Sequence, residues 1–173
     1  MTIGLSNFTS SVASGRLRLV RTLLADELIP ASALLAEKLS VQAGSKLRHL
    51  VRLDSEGGAP LSVDEVLMLP ARARVIDEAM AASPLFMYLW QQKNRTNLVR
   101  TYYEITVNMP TMEEQEQLQI NSEVPVLATS ESIMHSTEKR IMNAVTRYRG
   151  DRCRLSGIVL LARKKTKQGL VGE

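Results

Sequence analysis

The stretch Leu61-Ser62-Val63-Asp64-Glu65-Val66-Leu67-Met68-Leu69 contains the residue whose chemistry is hardest to explain as packing. Positions 61, 63, 65, 67 and 69 are Leu, Val, Glu, Leu and Leu, so a regular strand points one carboxylate, Glu65, towards its aliphatic side. An isolated buried carboxylate is costly and needs a cation, hydrogen-bond donors or a ligand. Three arrangements meet that need. A β-bulge returns Glu65 to solvent, an inward arginine such as Arg52 or Arg147 pairs with it structurally, or a ligand takes it as a contact. Asp64 lies on the other phase, so at most one of the two acids faces a given pocket. Arg52 sits across the Gly57-Gly58 turn on the preceding strand. A carboxylate and a guanidinium on paired strands could hold a small polar or zwitterionic molecule, or form an ordinary cross-strand ion pair.

Other site chemistries find little support. Cys153 is the one cysteine, which leaves no internal disulfide or structural zinc site, and it reads as a small half-buried strand residue. His49 and His135, the two histidines, sit in no catalytic pattern and make a poor metal site. No metal or cofactor is expected. The formal net charge of +4 is mild, with basic runs at 147–154 and 163–167. The second run reads as a solvated tail, with a nucleic-acid or membrane patch as the sharper alternative; nothing like a recognition helix accompanies it. No apolar run reaches the roughly 20 residues of a membrane span, and no secretion signal opens the chain. A cytoplasmic protein without a membrane partner is expected.

The elements that must position these residues follow from periodicity. The 173 residues, 45% hydrophobic and 23% charged, suit a single domain with its own core. Alternation in 16–28 predicts a half-buried strand ended by Pro30, followed by a short helix through Leu39 and a close at Gly44. Strands are expected at 46–54 and 61–69, joined by a glycine hairpin. Two consecutive helices follow at 71–82 and 84–93, the second with Ser83 as N-cap and Pro84 as first helical residue. Strict alternation predicts a strand at 99–109, with Tyr103, Ile105 and Val107 on one face. Thr111-Met112-Glu113-Glu114 has capping-box spacing for a helix to Leu118. Strands close the chain at 124–135, 140–149 and 151–162. Hairpin-like connections predict an α+β domain, a mostly antiparallel sheet of about six strands with short helices on one side.

In this order the motifs resemble the UTRA effector-binding domain of GntR-family regulators in the HutC subfamily, which has a chorismate-lyase-like fold. The resemblance is carried by Asn7-Phe8-Thr9 with Gly15, by Pro30-Ala31 with Leu39 and Gly44, and by Val51-Arg52-Leu53 with Gly58-Ala59-Pro60-Leu61. It continues through Leu69-Pro70, Ser83-Pro84-Leu85-Phe86, Glu113 to Leu118 with Val124-Pro125-Val126-Leu127, and Tyr148-Arg149-Gly150-Asp151-Arg152. It implies a sensing and dimerising domain over 1–165, with a flexible basic tail at 166–173. The partners it implies are a small-molecule effector, a second copy in a homodimer, and DNA through an N-terminal winged helix-turn-helix absent from this chain, as in a repressor. It implies no catalysis. A chorismate-lyase-like enzyme and a ligand-free dimerisation module are the alternatives on the same fold.

Carried over residue by residue, the resemblance places effector contacts at Arg52, Ser83, Tyr148, Phe8, Thr9 and either Asp64 or Glu65. Strand phase favours Glu65, though the strand is one residue longer than the usual spacing. Tyr148 reads equally as an edge tyrosine that only packs. The second arginine of the family's phosphate hairpin is Asp54 here, which would repel phosphate at close range. Pro84 stands where a serine is usual, beside Ser83, and Met142 stands at an acidic position. These departures imply a less anionic or a cationic effector, a phosphonate held differently, or a pocket that binds nothing.

Overall fold

Glycine turns and alternating side chains build the first half of the sheet. The computed structural model describes residues 2–4, 18–94, 98–135 and 140–156. Phe8, Thr9 and the tail at 166–173 lie outside them. After a short β1 (Thr2–Gly4), β2 (Leu19–Pro30) pairs antiparallel with β3 (Lys46–Glu56), and β3 with β4 (Ala59–Met68). Gly57 and Gly58 both take positive φ, +61° and +80°, as the tight β3–β4 turn requires. A register shift leaves Leu61 without a partner on β3, and alternation is unbroken from Ser62 to Met68. The bulge therefore precedes Glu65 and does not turn it.

Helices fill the gaps between strands. Helix α1 (Ala33–Leu39) starts at Ser32, whose hydroxyl accepts from Leu35 N, and ends in the left-handed Ser40. The single helix expected at 71–82 is instead two one-turn helices, α2 (Pro70–Ala73) and α3 (Glu78–Ala81). The cause is local. Arg48 Nη1 donates to the carbonyls of both Ala73 and Ile76 at 2.9 Å, which draws those groups out of a helical ladder. Asp77 then restarts the helix by accepting from Met80 N at 2.8 Å. Helix α4 (Phe86–Asn94) begins two residues beyond Pro84, because Ser83 accepts from Leu85 N in a turn.

Strand β5 (Leu98–Asn108) leads to α5 (Met112–Leu118), which carries the expected capping box. Glu114 N donates to Thr111 Oγ1 at 3.2 Å, and Thr111 N donates to Glu114 Oε2 at 2.7 Å. Strands β6 (Val126–His135) and β7 (Arg140–Arg149) complete the large sheet, and β8 (Arg154–Ser156) pairs in parallel with β1. The strand order is β2-β3-β4-β7-β6-β5, antiparallel throughout. It consists of two three-stranded meanders that meet along the β4–β7 ladder. The α+β class and the six-stranded sheet expected from the sequence are those found.

Helices cover both sides of this sheet, not one. On the front, Leu50, Val66, Met68 and Met142 pack under Met80, Phe86 and Trp90 of α3 and α4. On the back, Leu47 and Leu67 meet Ala36 and Leu39 of α1, while Val63 and Val126 meet Leu118 of α5. The central β4 is consequently buried on both faces, so its aliphatic phase does not single out one inside.

Gly150 shows how tightly the second meander closes. Its amide donates to Pro125 O at 2.8 Å, and a Cβ there would stand 2.5 Å from the same oxygen. Gly150→Ala is therefore expected to cost about 1–3 kcal/mol through forced backbone movement. An unchanged urea midpoint would contradict that packing.

Candidate functional site

Cross-strand register lines up two rows of polar side chains on the front of the sheet. Arg21, Asp54, Ser62 and Tyr148 stand opposite one another across β2, β3, β4 and β7. In the adjacent row stand Arg52, Asp64, Thr146 and Thr129, across β3, β4, β7 and β6. Arg52, Asp54, Ser62, Asp64, Thr129 and Tyr148 are all buried. Burying that much polarity requires internal neutralisation.

The neutralisation is nearly complete. Arg21 binds Asp54 in a two-point fork, Nε to Oδ1 and Nη2 to Oδ2, both 2.7 Å. Its Nη2 also lies 3.4 Å from Asp64 Oδ2. Arg52 Nη2 donates to Asp64 Oδ2, and Thr146 donates to Asp64 Oδ1 at 3.3 Å. Burial pushes the Arg21 pKa down, but the Asp54 bond and the charges of Asp64 and Asp54 outweigh it and hold the value raised. For Arg52 burial wins, with Arg21 pushing the same way, and its pKa lies below the ordinary arginine value. Burial, then the charges of Asp64 and Tyr103, raise the Tyr148 phenol well above its usual range, so it stays neutral and able to donate.

Arg52 is the incomplete member. Its side chain is 1% exposed, yet among the described residues Nε and Nη1 have no hydrogen-bond partner. The guanidinium carbon lies 4.1 Å from the centre of the Phe86 ring. The α3–α4 junction thus covers the nest. It is held there by the core packing of Phe86, by this stacking and by one long bond from Arg21 Nη1 to Ser83 O, 3.4 Å.

Of the residues expected from the sequence, Arg52, Asp64 and Tyr148 share this nest, and Ser83 reaches it through its carbonyl. Glu65 does not. Arg52 stands opposite Asp64, while Glu65 stands opposite Val51 on the back face. The Arg52–Glu65 pair considered for one pocket is therefore divided between the two sides of the sheet. Glu65 accepts from Arg147 Nη1 at 3.0 Å and lies 3.0 Å from His49 Nε2, and Arg147 Nε also meets Glu114 at 3.1 Å. These groups line a cleft of about 430 Å³ under α5, with Thr111 and Gln117. Its charges largely satisfy one another. Met142 is fully buried in the front core. Asp54 is matched by Arg21, so it presents no unopposed charge to an anion.

Sequence reasoning missed Arg21, Phe86, Thr146 and Glu131. The signal for Glu131 was present, since Leu127, Thr129, Glu131 and Ile133 share one phase of β6, another carboxylate on an inward row. It is part-buried opposite Tyr103 and Ala144. Burial, then the charge of Asp64, raises its pKa. Cys153 is half-buried and, mainly through burial, is held as the neutral thiol. Among the described residues no group of three or more His, Cys, Asp or Glu could hold a metal ion, and no helix is long and apolar enough to cross a membrane.

Comparisons with known proteins agree with this architecture. The model of the UTRA domain family matches residues 16–154. The effector domain of PhnF from Mycobacterium smegmatis superposes with a TM-score of 0.82 at 19% identity, covering 93% of this chain and 100% of that one. Whole PhnF gives 0.80 at 19% identity, covering 94% of this chain and 72% of that one. A GntR-family transcriptional regulator from Bacillus cereus gives 0.70 at 12% identity, covering 82% and 99%. At these identities the likeness is one of fold. No curated protein sequence matches the chain.

Proposed function

The chain belongs to the UTRA domain family, the effector-sensing part of GntR-type regulators, and on that premise we propose that the front-face nest is where its effector binds. One observation carries the assignment: two nitrogens of a buried guanidinium, Arg52 Nε and Nη1, have no partner among the described residues. An unsatisfied buried donor costs about 1–3 kcal/mol, and more when charged. A ligand acceptor that supplies the missing bonds recovers this. To reach them it displaces the Phe86 ring, which is 1% exposed and packed in the front core, so the ligand must replace that packing as it enters. That displacement is the output the rest of a regulator would read. Arg52, Asp64, Tyr148 and Ser83 make up the site, with Phe8 and Thr9 proposed from the family resemblance alone. Glu65 belongs to a separate charged cleft.

The reading has further parts. The domain acts without catalysis, in the cytoplasm, and as a homodimer, and it meets DNA only through a separate winged helix-turn-helix module. The open edge β5 supports the dimer, since Tyr102, Ile105, Val107 and Met109 are exposed along it. A monomer in sedimentation at micromolar concentration would remove that part.

The decisive measurement is a thermal-shift screen of small metabolites, read alongside Trp90 fluorescence. A ligand at a hundredfold excess over its Kd stabilises by about 2.7 kcal/mol, a rise in Tm of several degrees. Trp90 lies one helical turn beyond Phe86 on α4, so its emission should change with binding. Arg52→Lys keeps the charge that Asp64 needs but lacks the further N–H donors, and should abolish the shift. A broad panel without a stabilising compound would sink the assignment.

A further inference from the structure

We propose that Glu131 seats a protonated amine of the effector, so that the ligand is dipolar, with its acceptor end on Arg52 and its ammonium group beside Glu131 and Asp64. The inference rests on the nest being the effector site and adds the chemical class of what enters it.

The argument begins with charge balance. Two guanidinium groups, Arg21 and Arg52, face three carboxylates, Asp54, Asp64 and Glu131. Asp54 is taken up by the Arg21 fork. Asp64 is shared by Arg52, Arg21 and Thr146. The Glu131 side chain has no hydrogen bond or ion pair among the described residues. It stands two residues along β6 from Thr129, on the same face, so it borders the Arg52–Asp64–Thr146–Thr129 row. The charge of Asp64, of the same sign, acts on it together with burial to raise its pKa.

A desolvated carboxylate beside another carboxylate is unfavourable unless a cation arrives. An anion alone would be repelled at this end, and a neutral polyol would leave the charge unopposed. An ammonium group cancels it and gains a charge-assisted bond. Tyr103 stands opposite Glu131 on the neighbouring strand, so an aromatic side chain borders the same place, as suits an ammonium ion. The far end of such a ligand meets an unpartnered N–H of Arg52, three strands away in the sheet. The span between the two long side chains calls for an amine and an acid separated by several bonds.

The probes are δ-aminovalerate and ε-aminocaproate, each beside its desamino acid, valerate and caproate, in calorimetric titration and thermal shift. At least one amino acid should bind about 10–100-fold more tightly than its desamino acid. Glu131→Gln should erase that difference and leave desamino-acid binding unchanged. The same substitution should raise the Tm of the ligand-free protein by about 2–4 °C, because an uncompensated charge is gone. Equal binding of amino and desamino acids, both lost in Arg52→Lys, overturns the amine seat while the nest survives as the site. A preference for the amino form that persists in Glu131→Gln also overturns the seat. Binding by none of the four compounds, or binding that Arg52→Lys does not weaken, overturns both the seat and the nest.

Discussion

Asp64→Asn is expected to destabilise the domain by about 3–5 kcal/mol, the usual consequence of removing one partner from a buried ion pair. The substitution keeps the shape and volume of the side chain and removes only its charge. Arg52 would then lose the carboxylate charge that neutralises it directly, with Arg21 nearby adding repulsion. Arg21 would retain Asp54. A loss of that size is a large share of the 5–15 kcal/mol typical of a domain. Urea unfolding monitored by far-ultraviolet circular dichroism measures it, with the slope of the transition unchanged. Glu65→Gln, on the neighbouring residue, provides the contrast. Its partner Arg147 is 29% exposed and Glu65 itself 28%, so that pair should contribute less than about 1 kcal/mol. If the two substitutions cost the same, the assignment of Asp64 as the neutralising anion of the nest fails.

Trp90→Ala is the second large effect, also about 3–5 kcal/mol. The indole is fully buried among Phe86, Met80 and Met142, and its Nε1 donates to Arg72 O at 2.9 Å. That bond ties α4 to the last turn of α2, so truncation leaves a cavity and removes the shorter of the two bonds to that carbonyl, the other coming from Asn94 Nδ2 at 3.4 Å. Trp90→Phe retains most of the apolar area and should cost clearly less. Trp90 is the sole tryptophan, so circular dichroism must report both variants. Loss of equal stability in the two would place the weight on the hydrogen bond instead of the packing. Because α4 carries Phe86 over Arg52, Trp90→Ala should also loosen the covering of the nest.

Most of the chain's elements were legible from local rules. The alternation of 99–109, the Thr111–Glu114 capping spacing and the Gly57-Gly58 turn each act over a few residues, and each appears where periodicity places it. The break between α2 and α3 was not legible, because its cause is Arg48, a side chain from the distant strand β3. The nest was legible only in part. Arg52, Asp64 and Tyr148 could be named, but Arg21–Asp54 joins residues 33 apart and Thr146–Asp64 residues 82 apart. No local pattern records such pairs. The phase argument that favoured Glu65 assumed one buried face, whereas β4 is central and covered on both sides. The same argument applied to β5 met the reverse difficulty: Ile105 and Val107 alternate as core residues do, yet they are 44% and 64% exposed on an edge strand.

The β4–β7 seam has a consequence for the rates of folding and unfolding. Each meander forms between neighbours in sequence, whereas the seam closes a loop of 82 residues at Asp64–Thr146. Loop-closure entropy makes such non-local pairing slow and late. The nest is divided by that seam, with Arg21, Arg52, Asp54 and Asp64 on one side and Thr146, Tyr148 and Glu131 on the other. A small molecule spanning it makes contacts that exist only once the halves have docked. Interactions absent from the folding transition state slow unfolding and leave the folding rate nearly untouched. Stopped-flow unfolding with and without ligand should therefore differ in the unfolding limb alone, and the effector would be registered as a longer lifetime of the joined sheet.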